Sequence, residues 1–193
     1  SSDLQVLHAV GCAEATVRYR ALGVGPLNGA PVHADEVTYV SIGDGGTSEG
    51  EFWEALNTAC TGRLPLVILV EDNGYAISTP VVAQTPGADI GRLVEGFPGL
   101  TVLRCDGTDF AESLVTMREA VRVARSGQGP VLVHARCIRP YSHSHSDDET
   151  LYKTADEREE ESRRDPLTRM AKALVDDGLA NADTLAALTG DVE

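Results

Sequence analysis

Positive charge is scarce in this chain: 16 Lys and Arg stand against 30 Asp and Glu in 193 residues, a formal net charge of −14. Gripping nucleic-acid phosphates takes clustered basic side chains, so no nucleic-acid partner is expected. No run approaches the roughly 20 uninterrupted apolar residues that span a bilayer, and Ser1-Ser2-Asp3 lacks the basic start of a secretory signal. Both absences predict a chain that stays off the membrane, in the cytoplasm. The four cysteines, Cys12, Cys60, Cys105 and Cys137, form no CxxC pair and have no histidine at ligand spacing. They are therefore read as reduced, buried thiols rather than as a disulfide framework or a zinc site. Internal repeats and low-complexity tracts are also missing. What is present, 42% hydrophobic and 24% charged residues, suits a single domain over residues 1–193 with a full core.

Periodicity then divides the chain. Leu4, Leu7, His8, Gly11, Ala15 and Tyr19 recur every three or four residues, which predicts a helix over 4–22 packed on that face. A Gly-, Pro- and Asn-rich loop follows at 23–35. Residues 37–42 and 64–70 are short β-branched and apolar runs that read as buried strands, the second with Pro65 near its start. Between them, residues 48–60 read as a helix, with Ser48 and Glu51 in the spacing of a capping box. The pattern repeats as a strand over 100–105, a helix over 109–125 with Phe110, Leu114, Met117 and Val121 inward, and a strand over 130–137. The expected fold is α/β: an open, mostly parallel, doubly wound sheet with helices on both faces. A polar loop at 139–150 and a helical C-terminal tail at 155–193 complete it.

In an open parallel sheet, ligands collect beyond the carboxyl ends of the strands. Two strands here end suggestively, the first in Gly43-Asp44-Gly45-Gly46 and the second in Glu71-Asp72-Asn73-Gly74-Tyr75. The glycines allow close backbone approach, and a helix beginning near Ser48 offers free N–H groups to a phosphate. An anionic Asp44 beside a phosphate makes sense only with a cation between them. Magnesium, a hard ion that takes oxygens and keeps phosphates among its ligands, is the natural choice. Asp44 would supply charge, Asn73 an amide oxygen and Tyr75 its backbone carbonyl. One strand–helix–strand excursion separates Asp44 from Asn73. Asp-Gly alone is ordinary turn chemistry, so the pair at this spacing carries the argument.

The string Gly43-Asp44-Gly45 followed by Asn73 resembles the GDG-to-N motif of thiamine diphosphate enzymes. The wider stretches 42–52 and 71–78, together with Leu7-His8-Ala9-Val10-Gly11, are similar to the alpha subunit of the decarboxylating component of 2-oxo acid dehydrogenase complexes. The loop Ser142-His143-Ser144-His145-Ser146-Asp147-Asp148, with Tyr152 beyond it, is similar to that family's HSxSDD loop. The resemblance covers nearly the whole chain. It implies thiamine diphosphate and magnesium as cofactors, with Asp44, Asn73 and the Tyr75 carbonyl as metal ligands. Gly43, Gly45, Gly46, Gly74, Ala76 and Ile77 fall on the cofactor-binding stretches. His143 matches an active-site histidine at the mouth of the substrate channel, and Ser144 falls where animal members are phosphorylated. Glu71 departs from members that carry a basic residue there and is given no role. His145 is read as loop, His8 as a partner or cofactor contact, and His33 and His134 as structural.

The implied reaction is oxidative decarboxylation of a 2-oxo acid with transfer of the acyl group to a lipoyl group, on a lipoyl acyltransferase component. The implied assembly is a dimer or an alpha2beta2 heterotetramer, in which a beta subunit or fused beta domain supplies the glutamate that activates the cofactor. The 193 residues alone are expected to be inactive, as a fragment or one subunit. Residues 73–78 lean toward the branched-chain, 2-oxoisovalerate type. The alternatives are another thiamine enzyme, of the pyruvate, acetoin or transketolase kind, and a non-catalytic cofactor-binding subunit.

Overall fold

The computed structural model describes residues 4–25, 29 and 31–190. Parts of the expected loop at 23–35 and of the tail at 155–193, and the two ends of the expected domain 1–193, lie outside the described residues. Helix α1 (Leu4–Leu22) leads to β1 (Thr38–Gly43), a 3-10 turn at Asp44–Ser48, α2 (Gly50–Gly62) and β2 (Leu66–Asp72). A short antiparallel hairpin follows, β3 (Tyr75–Ala76) with β4 (Thr79–Pro80), then two single-turn helices, α3 (Val81–Gln84) and α4 (Ile90–Leu93). The chain continues through β5 (Thr101–Asp106), α5 (Phe110–Arg125) and β6 (Val131–Arg136) to α6 (Ala155–Arg163), α7 (Pro166–Asp176) and α8 (Ala182–Gly190). No helix among the described residues is long and apolar enough to cross a membrane.

Four of the strands form one parallel sheet in the order β1-β2-β6-β5. A parallel sheet needs cover on both faces, and the alternation of β2 shows how the sequence provides it. Leu66, Ile68 and Val70 point into a core shared with Val6 of α1 and Phe52 and Leu56 of α2. Val67 and Leu69 point the other way, toward Ala120 and Ala124 of α5. Phe52 and Leu56 are fully buried, each worth roughly 2–3 kcal/mol in apolar burial.

Three local expectations differ from the structure. Helix α1 packs through Val6, Ala9, Val10 and Ala13, while Gly11 and His8 are exposed. Small and apolar residues surround most of this helix, so periodicity alone does not select a face; the sheet selects the one that lets the backbones approach. Helix α5 buries Ala120, Val123 and Ala124 in its C-terminal half, with Met117 and Val121 partly buried, but Phe110 and Leu114 are exposed. Its first turns rise at the carboxyl edge of the sheet, beyond the strands that cover the later ones. The Ser48–Glu51 capping box does not form: residues 44–48 coil into the 3-10 turn, and Glu49 precedes α2 without a side-chain cap. The tail is helical, broken where Asp165 caps α7 by accepting from the Leu167 and Thr168 N–H groups. Pro166 favours this break because the residue before a proline is pushed out of helical geometry.

Candidate functional site

Gly43 and Glu71 are register partners, so β1 and β2 release their next residues side by side at the carboxyl edge. Asp44, only 1% exposed, and Asn73 meet there: the Asn73 N–H donates to Asp44 Oδ1 at 3.4 Å. Gln84 of α3 donates from Nε2 to Asp44 Oδ2 at 2.9 Å. Burial, and after it the neighbouring charge of Asp72, hold the Asp44 carboxyl above its ordinary range, against the lowering effect of the Asn73 N–H and of Arg139. This carboxylate sits where its own charge is disfavoured.

The turn after β2 is built from two overlapping side-chain caps. Asp72 Oδ1 accepts the Gly74 N–H at 3.0 Å, and Asn73 Oδ1 accepts the Tyr75 N–H at 3.2 Å, each a bond from an Asx side chain to the backbone two residues on. Gly74 has φ +83°, a left-handed conformation that favours glycine. Gly45 is required for a different reason: a Cβ there would lie 2.6 Å from Ala76 Cβ, so only glycine lets the 3-10 turn touch β3. Gly46 lies in that turn, its carbonyl accepting the Glu49 N–H, and Gly43 ends β1 exposed. Ile77 is 54% exposed at φ +55°.

A polar clasp ties the loop after β6 to this edge. Arg139 donates from Nη1 to the Ile77 carbonyl at 2.8 Å and from Nη2 to the Tyr152 hydroxyl at 2.6 Å. Its guanidinium lies 5.8 Å from the centre of the Tyr75 ring and 5.6 Å from that of Tyr152. The Tyr152 hydroxyl donates to Asp147 Oδ2, which also accepts the His143 N–H at 2.8 Å. Burial first, and then the bond to Asp147, push the Tyr152 phenol up to about 12. Lys153, buried, donates to Glu161 and to the Arg139 carbonyl and lies 5.5 Å from the centre of the Tyr75 ring. The Tyr75 hydroxyl donates to Glu157 at 3.0 Å.

The structure therefore gathers Asp44, Asn73, Gly45, Gly74, Tyr75 and Ala76 at one edge. His143 is different: it is exposed, its ring makes no hydrogen bond among the described residues, and it reaches the edge only through Asp147, Tyr152 and Arg139. Gln84, Asp72, Arg139 and Lys153 were missed by sequence reasoning. Arg139 carried a signal, a cation just past the carboxyl end of a buried strand; Gln84, distant in sequence, carried none.

Of the donor set expected from the sequence, Asp44, Asn73 and the Tyr75 carbonyl, the structure brings Asp44 to Asn73 and ties the Asn73 Oδ1 to the Tyr75 N–H. Among the described residues, no three His, Cys, Asp or Glu side chains converge as a metal cluster. A donor set with one carboxylate and two neutral oxygens suits a hard ion that draws other ligands from a phosphate.

Comparison with known proteins adds three findings. The family described as "Dehydrogenase E1 component" matches residues 7–193. A 3-methyl-2-oxobutanoate dehydrogenase subunit alpha of Mycobacterium tuberculosis is 38% identical over 175 residues, 91% of this chain and 44% of that protein. A pyruvate dehydrogenase E1 component subunit alpha of Acholeplasma laidlawii is 37% identical over 145 residues, 75% of this chain and 42% of that protein. The chain thus spans less than half the length of these curated relatives.

Proposed function

The chain belongs to the dehydrogenase E1 component family, and on that premise we propose that it forms the magnesium- and diphosphate-holding part of a thiamine diphosphate site in the alpha subunit of a 2-oxo acid dehydrogenase. The observation that carries this reading is the meeting of Asp44 and Asn73 at adjacent strand ends. The donor chemistry fits. A buried carboxylate whose charge is disfavoured by burial and by Asp72 gains most from a cation, and Gln84 leaves it lone pairs to offer. Asp44, Asn73 and the Tyr75 carbonyl hold magnesium. Gly43, Gly45, Gly46, Gly74, Ala76 and Ile77 bring backbone close to the diphosphate.

Thiamine diphosphate, when bound, supplies the carbanion that attacks a keto carbon and the electron sink that makes loss of carbon dioxide feasible. This chain's residues anchor and orient. The Asx-capped turn holds Asn73, and the Arg139 clasp sets the loop that bears His143. That histidine donates a proton to, or orients, the substrate and the incoming lipoyl group. A beta subunit or fused beta domain supplies the activating glutamate, and the acyl group leaves on the lipoyl group of an acyltransferase component.

The substrate reading is a branched-chain 2-oxo acid, supported by the relative at 38% identity over 91% of the chain. The pyruvate type is the second reading, supported by the relative at 37%. Turnover of 2-oxoisovalerate against pyruvate by the full-length chain assembled with its beta partner tests the choice: a higher kcat/KM for pyruvate reverses it. Calorimetric titration of the same assembly with thiamine diphosphate and magnesium tests the site itself, and absence of binding would refute it. The 193 residues by themselves are expected to show no decarboxylation.

A further inference from the structure

His134 of β6 belongs to none of the groups assigned above, yet it is among the most enclosed ionisable side chains near them, at 1% exposure. Its Nε2 lies 2.7 Å from Asp72 Oδ2 and its Nδ1 lies 3.3 Å from Asp89 Oδ1. A carboxylate oxygen accepts, so the ring donates from Nε2 to Asp72 Oδ2, while Nδ1 faces the Asp89 carboxylate. Packing holds the ring in this pose: a Cβ on Gly91 would lie 2.8 Å from Nδ1, so the backbone of α4 closes directly over it. Asp89 is anchored in turn, accepting the Arg92 N–H at 2.9 Å, with Arg136 at 3.6 Å. Burial alone would raise the Asp89 carboxyl, but that N–H, His134, Arg104 and Arg136 together hold it below its ordinary range. The remaining charged groups facing the ring are Asp106, Glu112 and Arg164, across a cavity of about 280 Å³.

The other carboxylate oxygen of Asp72 is the one that caps Gly74. One carboxylate thus joins a buried imidazole on β6 to the backbone N–H that shapes the turn presenting Asn73. The structure assigns His134 as a positioning residue for the cofactor-anchoring turn: clasped between Asp72 and Asp89, it fixes the Asp72 carboxylate, and through it the Gly74 N–H and the direction of the Asn73 amide oxygen. This rests on the reading of Asp44 and Asn73 given under the proposed function.

The test uses the full-length chain assembled with its partner subunit, stripped of cofactor and titrated calorimetrically with thiamine diphosphate at fixed magnesium. His134→Gln roughly keeps the size but removes the ring that α4 holds against Asp72. Loss of a group that orients a metal ligand through its neighbour costs roughly 10–100-fold in affinity, and that loss is expected here. The double variant Asp72→Asn with His134→Gln restores an uncharged pair, in which the amide introduced on β2 still accepts the Gly74 N–H and donates to the amide introduced on β6. It is expected to recover affinity to within a few-fold of wild type, which a merely structural role would not produce. Wild-type affinity in His134→Gln, or a double variant weaker than either single one, overturns the assignment. If His134→Gln does not assemble, Asp72→Asn alone decides: it must weaken binding several-fold with an unchanged melting temperature, and unchanged affinity overturns the assignment. Failure of the wild-type assembly to bind, or undiminished binding by Asp44→Asn, would instead sink the functional reading beneath it.

Discussion

Asp-Gly ends two strands of the same sheet, β1 at Asp44-Gly45 and β5 at Asp106-Gly107, and the two copies have opposite surroundings. Both glycines are sterically required: a Cβ would lie 2.6 Å from Ala76 Cβ at Gly45 and 2.6 Å from Cys137 Sγ at Gly107. Both aspartates accept hydrogen bonds. Asp106, however, comes with its own cations, Arg169 at 2.8 Å and Arg164 at 3.3 Å, and with Thr108. Its carboxyl is held far below the ordinary range: burial would raise it, but the bonds from Thr108 and Arg169 outweigh that. Asp44 accepts hydrogen bonds from the neutral amides of Gln84 and Asn73, with a like charge nearby and Arg139 acting on it without a direct ion pair, and its carboxyl is raised. A carboxylate that secures structure is neutralised within the chain; one left buried without a direct ion pair is suited to a cation from outside.

The largest effect expected from that contrast is on cofactor affinity. Asp44→Ala in the assembled full-length protein should weaken binding of magnesium–thiamine diphosphate by more than about 100-fold, while Asp106→Ala changes it by less than about threefold; equal losses in a calorimetric titration would erase the contrast. Next come the glycines. Gly45→Ala and Gly107→Ala should each lower unfolding free energy by about 1–3 kcal/mol through overpacking, read from denaturant midpoints. Only Gly45→Ala should also weaken the cofactor, because Ala76 is its obstacle.

The smallest and sharpest effect is in pH dependence without cofactor. The Asp44 carboxyl is raised above 3.8, so its contribution is fully present below 3.8 and is lost as pH rises through its folded-state value. Asp106 is lowered, so its contribution is present above 3.8 and is lost as pH falls toward its folded-state value. Asp106→Asn should therefore cost about 1–2 kcal/mol near neutral pH and less in acid, whereas Asp44→Asn should be neutral or stabilising near neutral pH. Melting temperatures from pH 3 to 7 that move in the same direction for both variants would contradict this.

Much of the fold was legible in the chain. Four short runs each matched a strand to within two residues at either end, most plainly the central β2 and β6, because strands buried on both faces must be largely apolar. The Asp44 and Asn73 pairing was legible too, since the spacing of one strand–helix–strand unit leaves the two loops little choice but to meet. The hairpin of β3 and β4 was not, because two-residue strands have no periodicity to read. Nor were the packed faces of α1 and α5. For α1 several faces were apolar enough, and for α5 the end of the sheet decided which residues found cover.

Local chemistry was enough to determine the main strands and helices, the glycine-lined turns and the residue types suited to a hard cation, because each depends on backbone conformation or on spacing along one segment. Whether a given carboxylate finds a donor partner was decided only by the tertiary structure. Arg164 and Arg169 reach Asp106, and His134 reaches Asp72, from about 60 residues away along the chain. Electrostatic energy depends on distance and burial in the folded state, and neither is written in the order of residues.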